Sequence, residues 1–255
     1  RTASRQPLLT AYLPVHYTSP LKCLRVDRLL VAPYLAGSLA ACSASRLPPV
    51  IPAGAVPSTL AAATAWVDST GTREPVIHRF RWQFRDAIGS AGGPGSARIT
   101  VGDSLRFDVA GPLGAGRGAA FVIGDTARWA QPEEEVRKLV PNYPLLWAML
   151  GIVRLPATVE EVRRFADGRV TAWQFVSGLD TTEYAWIRDP EPRLIADVRH
   201  AGGRIGRVET RFDAEGRLRT SRLDVPSGPA RLDIRYVSTE RTDGFPPDTW
   251  TPPAP

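Results

Sequence analysis

Cysteine is scarce in this sequence: its 255 residues include only Cys23 and Cys42, and both lie in the first sixth of the chain. The rest of the chain, which has none, therefore cannot form a disulfide framework or a thiolate metal cluster. The three histidines, His16, His78 and His200, are far apart. No two have the four-residue spacing with which a helix presents two imidazoles to one zinc ion. The sequence therefore predicts no metal and no cofactor.

Long apolar runs are also absent, and lysines are scarce. No window reaches the eighteen or more apolar residues typical of a transmembrane helix. Only two of the 32 basic residues are lysines, and the arginines are interleaved with aspartate and glutamate. The net charge of +6 and the isoelectric point near 9.8 are compatible with nucleic-acid binding. A phosphate-binding stripe, however, needs clustered cations. We therefore expect no nucleic-acid partner.

The sequence lacks the common catalytic motifs as well. It has no Gly-x-Ser-x-Gly segment, which would place a nucleophilic serine in an α/β-hydrolase. The glycine-rich segment 111–118 lacks the Lys-Ser/Thr ending of a phosphate-binding loop and is interpreted as a turn. Three consecutive acids, Glu133 to Glu135, suit the start of a helix better than a catalytic pair. The prediction is a protein without enzymatic activity.

A secretory leader is present near the N-terminus. Lys22, Arg25 and Arg28 form a basic region, which is followed by the apolar segment 29–36 and by small residues. The leader ends in Leu-Ala-Ala-Cys at 39–42, which resembles the lipobox of bacterial lipoproteins. The resemblance implies that residues 1–41 are an upstream segment and a signal peptide.

By the same resemblance, Cys42 is the lipidation site and becomes the first residue of the mature protein. Three acyl chains on one cysteine would give a permanent membrane anchor, because two already suffice. The residue after the cysteine is Ser43 and not aspartate, which by enteric sorting rules implies the outer membrane, with the protein facing the periplasm. Segment 42–57, rich in alanine, proline and serine, is predicted to be a linker.

Apolar and polar residues alternate through most of the chain after residue 75. In 76–84, Phe80, Trp82 and Phe84 alternate with charged or polar residues, which predicts a strand with one apolar face. The same reasoning predicts eleven strands, at 76–84, 97–101, 105–109, 119–123, 126–130, 170–176, 183–187, 194–199, 203–212, 217–225 and 231–238.

The segments that interrupt this alternation have helical features. Three short helices are predicted between the fifth and sixth strands, at 132–140, 144–151 and 158–165. Thr158 and Glu161 would form a capping box at the start of the last one. A further helix is predicted at 59–67, with Ser58 as its N-cap.

Glycine and proline mark the predicted turns and the end of the chain. Segment 89–95 is predicted to be a glycine-rich turn, and Gly124-Asp125 to be the tight turn of a hairpin. The tail 244–255 contains five prolines, which predicts a surface strap or a disordered end.

The predicted fold class is mainly β: a half-open antiparallel β-barrel of about eleven strands, with a lid of short α-helices inserted midway. Its apolar faces must be buried, and the short helices are the element available to cover them. One interpretation is an ordinary solid core. The other is an apolar cavity for acyl chains, lined by Phe80, Trp82, Phe84, Phe107, Phe121, Trp129, Trp173 and Phe175 on the strands and by Leu146, Trp147 and Leu150 on the lid.

The order of these elements is similar to that of the LolA/LolB family. The resemblance rests on the lipobox, on Asp-Val-Ala-Gly-Pro-Leu-Gly at 108–114 and on the insert with Leu-Val-Pro-Asn-Tyr-Pro-Leu-Leu-Trp-Ala-Met-Leu-Gly at 139–151. It implies a lipid-binding domain at 58–243 with the lid at 132–165. It also implies that Leu113 is a protruding loop leucine that transfers cargo to the membrane.

What the resemblance implies about function is an outer-membrane receptor that accepts lipoproteins from a periplasmic LolA-like carrier and inserts them into the membrane. We expect a monomer that binds the acyl chains of lipoproteins or lipids. Two alternatives remain open at this point: a periplasmic sensor of the same fold, and a structural lipoprotein without transfer activity.

Overall fold

The computed structural model of this chain describes residues 50–101, 103–111, 116–133, 142–226, 228 and 230–252. Four sequence predictions lie wholly or mostly outside these residues: the upstream segment and signal peptide at 1–41, the lipidated Cys42, the loop leucine Leu113 and the helix at 132–140. Among the described helices, none has both the length and the apolar character needed to cross a membrane.

The described residues form an open antiparallel sheet of thirteen strands, with two α-helices. The strand order is β1-β7-β8-β9-β10-β11-β12-β13-β2-β3-β4-β5-β6. The strand bounds are Val56–Pro57 (β1), Val76–Arg85 (β2), Ser90–Thr100 (β3), Ser104–Ala110 (β4), Arg117–Ile123 (β5), Thr126–Gln131 (β6), Glu161–Ala166 (β7), Val170–Ser177 (β8), Asp180–Ile187 (β9), Arg193–His200 (β10), Gly203–Phe212 (β11), Leu218–Val225 (β12) and Ala230–Arg241 (β13). The helices are α1 (Leu60–Thr70) and α2 (Tyr143–Met149).

The mainly β fold class and the open sheet are thus confirmed. Each of the eleven predicted strands corresponds to an observed one, and the hairpin at Gly124 joins β5 to β6 as expected. Alternating burial explains the agreement: in β2, His78, Phe80 and Trp82 are buried while the residues between them are exposed. One face of the sheet therefore carries the core, because only that face offers enough apolar surface to remove from water.

Residues 90–95 of the glycine-rich segment 89–95 form a strand and not the predicted turn. They belong to β3, where Gly95 pairs with Phe80 and Gly93 pairs with Trp82. A Cβ atom on residue 95 would lie 2.3 Å from Cε2 of Phe80. Glycine is therefore required in this strand, because the aromatic ring of the neighbouring strand occupies the space of a side chain.

The predicted helix at 158–165 was also wrong: this segment contains β7, which pairs with β8 and β1. Val162 is buried in the core, and Phe165 packs in a smaller cluster on the other side of the sheet. Each face carries one large apolar residue, and the other four residues are exposed. The segment therefore lacks the simple alternation of a strand with one apolar face, and its valine and phenylalanine spacing mimics a helix. The Thr158 hydroxyl pairs with Ser177 and caps no helix.

Residues before α1 belong to the folded domain, although the sequence placed them in a linker. Val50 and Ile51 pack in the smaller cluster, and the backbone N–H of Val50 donates to the buried carboxylate of Glu183 at 3.0 Å. The predicted helix at 59–67 is observed as α1. It is capped by Thr59 and not by Ser58, since the Thr59 hydroxyl accepts from the backbone N–H of Ala62.

Candidate functional site

Helix α2 lies against the core face of the sheet and is buried around its whole circumference. Its residues Leu145, Trp147, Ala148 and Met149 have no exposed surface. The helix contacts β10, β11 and β12. A helix that is apolar on every side needs such a location, because each face must avoid water. The space that a lid would enclose is here occupied by α2 itself.

Three hydroxyl groups from the sheet bind the C-terminal end of α2. The Thr210 hydroxyl donates to the carbonyl oxygen of Ala148 at 2.7 Å, and the Ser221 hydroxyl donates to that of Met149 at 2.6 Å. The Tyr236 hydroxyl also donates to Met149. The Met149 carbonyl is one of those that the last turn of a helix leaves unpaired, whereas the Ala148 carbonyl also accepts from the backbone N–H of Gly151 at 3.0 Å. The buried end of α2 is therefore held by polar contacts inside an apolar core.

A second set of contacts holds Trp147 at the centre of α2. Its indole N–H donates to the carbonyl oxygen of Gly124 at 2.7 Å, so the polar atom of the ring is satisfied. The guanidinium carbon of Arg154 lies 4.2 Å from the centre of the indole ring, within the range of a cation–π contact. Arg154 also forms an ion pair with Asp103. The helix is thus connected to the β5–β6 turn and to the β3–β4 connection.

Nine of the eleven predicted cavity residues come together in the core: Phe80, Trp82, Phe84, Phe107, Leu146, Trp147, Leu150, Trp173 and Phe175. Their rings stack in pairs: the centroids of Phe80 and Phe107 are 5.4 Å apart, and those of Trp173 and Phe175 are 6.5 Å apart. Whether these residues bind acyl chains stays a prediction, since in this conformation they pack against one another and against α2.

Phe121 and Trp129 do not join this group, and their assignment to the cavity needs correction. Phe121 pairs with Arg106, whose neighbour Phe107 points into the core, so Phe121 faces the other side of the sheet. There its ring contacts that of Trp250, and the indole N–H of Trp129 donates to the Trp250 carbonyl at 2.9 Å. The tail is therefore a strap across β4–β6. Trp250 of the tail covers Phe121 and Trp129, which the sequence assigned to the cavity.

Three titratable groups, His78, Tyr184 and Tyr236, are kept neutral by burial. Burial lowers the pKa of His78 from 6.5 to about 4, and its Nδ1 lies 2.9 Å from the Thr239 hydroxyl. Burial also raises the pKa of Tyr184 and of Tyr236 well above the ordinary value. Among the described residues, no three histidine, cysteine, aspartate or glutamate side chains are grouped so that they could hold a metal ion. The site offers apolar surface and hydrogen bonds to α2.

The hydroxyl contacts were missed in the sequence, although a signal exists. Thr210 follows the buried Val208 at a spacing of two, and Ser221 precedes the buried Leu223 at the same spacing. A polar residue at a core position is uncommon unless it has a partner. Such interruptions of an apolar face therefore point to a polar group on the element that covers it.

The comparison with solved structures supports the fold. A domain from Vibrio parahaemolyticus described as an outer-membrane lipoprotein-sorting protein aligns with a TM-score of 0.50 and 10% identity, over 74% of this chain and 94% of that one. The chain thus shares the open-sheet fold of that domain.

Weaker structural likenesses exist to a LolA superfamily protein from Nitrosomonas europaea and to a DUF1329 family protein from Desulfovibrio piger. The first has a TM-score of 0.33, 8% identity and coverage of 76% of this chain and 98% of that one. The second has a TM-score of 0.26, 8% identity and coverage of 74% and 95%. No family model and no curated protein matches the sequence.

Proposed function

We propose that this domain binds acyl chains on the core face of its open sheet, in the space that α2 occupies in the described conformation. The observation that carries the proposal is the burial of α2 from Leu145 to Met149 together with its few polar contacts to the sheet. Helix α2 contacts the sheet mainly through apolar side chains. Another apolar group of similar size can therefore take its place against the same surface.

The free energy gained by burying an acyl chain is of the same order as that gained by burying the side chains of α2. Burying an acyl chain of about fifteen methylenes, at about 0.8 kcal/mol each, gives about 12 kcal/mol. Burying one large apolar side chain gives roughly 1.5–3 kcal/mol, and α2 contributes several, among them Leu145, Trp147 and Met149. Exchange of the helix for an acyl chain is therefore near balance, as binding followed by release requires.

An acyl-binding domain tethered at Cys42 in the outer membrane has an evident use: it accepts lipoproteins from a soluble LolA-like carrier and passes them to the bilayer. The lipobox at 39–42 and the fold shared with a lipoprotein-sorting domain support this assignment. The tether is tested with radiolabelled palmitate in cells. Cys42→Ala should remain as an unprocessed precursor without label, and labelled precursor would exclude this anchor.

Palmitate brominated along its chain tests the binding site, since bromine quenches tryptophan fluorescence on contact. The described tryptophans divide into core residues such as Trp147 and Trp173, and the pair Trp129 and Trp250 on the other face. Quenching should be saturable and should persist in the Trp129→Phe/Trp250→Phe variant. It should fall strongly in Trp147→Phe/Trp173→Phe. Equal loss in both variants would mean that the acyl chain does not enter the core face.

A structural lipoprotein is the second candidate, and the same packed core favours it. If α2 is a permanent part of the core, the mature domain should carry no lipid after purification and should not bind palmitate. Mass spectrometry of an organic extract from the non-acylated domain distinguishes the two. A sensor of the same fold would bind acylated peptides but would not release them to liposomes.

A further inference from the structure

The face of the sheet opposite α2 has a groove of about 750 Å³ across β2, β3 and β11–β13. Five arginines and three acids line it: Arg81, Arg211, Arg219, Arg222, Arg235, Glu191, Glu209 and Asp233. The lining therefore carries two net positive charges.

All three acids form ion pairs with two of these arginines. Arg222 donates from Nε to Asp233 at 2.7 Å, and this contact raises the pKa of the Arg222 guanidinium. Arg211 contacts Glu209 at 2.9 Å and Glu191 at 3.1 Å. The remaining cations of the groove are left without an acidic neighbour.

Among the described residues, Arg81, Arg219 and Arg235 have no hydrogen-bond or ion-pair partner. Arg81 and Arg235 are directly paired across β2 and β13, and Arg235 is paired on its other side with Thr220, next to Arg219. Like charges placed directly opposite one another in a sheet are destabilising. The three arginines without partners therefore lie next to one another, and their mutual repulsion lowers the stability of the fold.

Neighbouring arginines on the same two strands are arranged differently. On β2, Arg79 contacts Glu240 at 3.0 Å, and on β13, Arg231 contacts Asp224 at 2.9 Å. Arg79 and Arg231, outside the groove, therefore have acidic partners, whereas Arg81 and Arg235, on the same two strands within it, have none among the residues that the structure describes. Such a contrast is expected where an external anion supplies the missing charge.

We propose that this groove binds a phosphate-bearing ligand, held by the guanidinium groups of Arg81, Arg235 and Arg219. Guanidinium groups bind phosphate oxygens through pairs of parallel hydrogen bonds, and their charge does not depend on pH in the ordinary range. The Thr220 hydroxyl lies in the same lining and offers a further donor. The site is on the face away from α2, so it is separate from the acyl site and does not depend on it.

Pyrophosphate binding to the mature domain tests the site, measured by calorimetry at constant ionic strength. The groove variant is Arg81→Gln/Arg235→Gln. The control variant Arg79→Gln/Arg231→Gln removes the same two charges from the same two strands, outside the groove. We expect saturable binding that the groove variant weakens at least about tenfold, as loss of one charge-assisted contact does, and that the control variant leaves unchanged. Absence of saturable binding, or equal loss in both variants, would overturn the proposal.

Stability without ligand provides a second measurement, which also guards against misfolding. The groove variant should have a higher melting temperature than the parent, because it relieves repulsion between exposed arginines. The control variant breaks two ion pairs and should melt at the same temperature or lower. A groove variant that melts lower than the control would mean that Arg81 and Arg235 serve the fold, and would contradict the proposal.

Vesicles distinguish the two sources of phosphate. Flotation with phosphatidylglycerol vesicles, compared with phosphatidylcholine vesicles, shows whether a lipid head group fills the groove. Binding that pyrophosphate competes away, and that only the groove variant loses, indicates the head group. Binding of pyrophosphate without vesicle binding indicates a soluble phosphate ester. Vesicle binding that both variants reduce equally, with no competition by pyrophosphate, would reflect surface charge alone and would overturn the site.

Discussion

The ring of Phe80 lies on the backbone of Gly95, its partner in the neighbouring strand. A Cβ atom on residue 95 would lie 2.3 Å from Cε2 and 2.7 Å from Cζ of this ring, and 3.0 Å from the carbonyl oxygen of Asp108. Two non-bonded carbon atoms cannot lie as close as 2.3 Å. Strand β3 therefore fits against the core only with glycine at position 95. The aromatic face of β2 and the glycine-rich β3 are therefore one packing unit.

Gly95→Ala should destabilise the domain. Overpacking of a filled core costs about 1–3 kcal/mol, and the backbone oxygen of Asp108, 3.0 Å from the added Cβ atom, leaves that atom little room to move away from the ring. Urea unfolding followed by circular dichroism measures the loss. Gly89→Ala, in the turn before β3 where a Cβ would meet nothing within 4 Å, is the matched control and should be nearly neutral. Equal stability of the two variants would refute the packing argument.

Thr210→Val should lower stability and raise acyl-chain affinity together. Valine keeps the shape of threonine but removes the hydroxyl that donates to the Ala148 carbonyl, which still accepts from the backbone N–H of Gly151 at 3.0 Å; the loss of this hydrogen bond costs about 0.5–1.5 kcal/mol. The loss weakens the packed position of α2, so a larger share of molecules has an accessible core face. The binding of brominated palmitate and urea unfolding measure the two effects. Thr220→Val, in the groove lining, is the control and should not affect palmitate binding. Reduced stability with unchanged or weaker palmitate binding would argue that α2 does not leave.

The buried His78 should make stability depend on pH between about 6.5 and 4. The folded state holds this imidazole neutral, with a pKa of about 4 instead of 6.5. As pH falls through this window the unfolded chain binds a proton that the folded chain does not, so stability is lost, by about 3 kcal/mol at most. Above pH 6.5 His78 is neutral in both states and no longer lowers the free energy of unfolding.

The measurement for His78 is urea unfolding at pH 7.5 and pH 4.5. Carboxylates also titrate in this range, so the parent is compared with His78→Leu, which should lose less stability on acidification. His200→Gln is the control, because His200 is exposed and pairs with Asp180 at the surface. Parallel profiles for the parent and for His78→Leu would show that burial of this ring has no such effect.

Leu113→Glu should preserve folding and palmitate binding but slow the transfer of a bound lipoprotein to liposomes. Burial of one leucine in lipid contributes roughly 1.5–3 kcal/mol, which favours a transient contact. Leu179→Glu, at an exposed turn between β8 and β9, is the matched control and should transfer normally. A loss of stability above about 1 kcal/mol with unchanged transfer per folded molecule would place Leu113 against the sheet.

The sequence alone was sufficient to predict a strand, and the side that faces the core, wherever the strand has one buried and one exposed face. In β2 and β13, alternation alone identified the strand and the side that carries the core, because the period of two is a direct consequence of the pleat. These features depend on local pattern, which the sequence contains in full.

Tertiary structure decided what depends on a distant partner. Phe121 and Trp129 alternate like core residues, and only the tail residue Trp250 determines that they are covered on the other face. Segment 161–166 reads as a helix until β8 is placed beside it, and its backbone groups then pair with that strand. The position of α2 is likewise a property of the assembled sheet, because the hydroxyls that hold it come from strands more than sixty residues away along the chain.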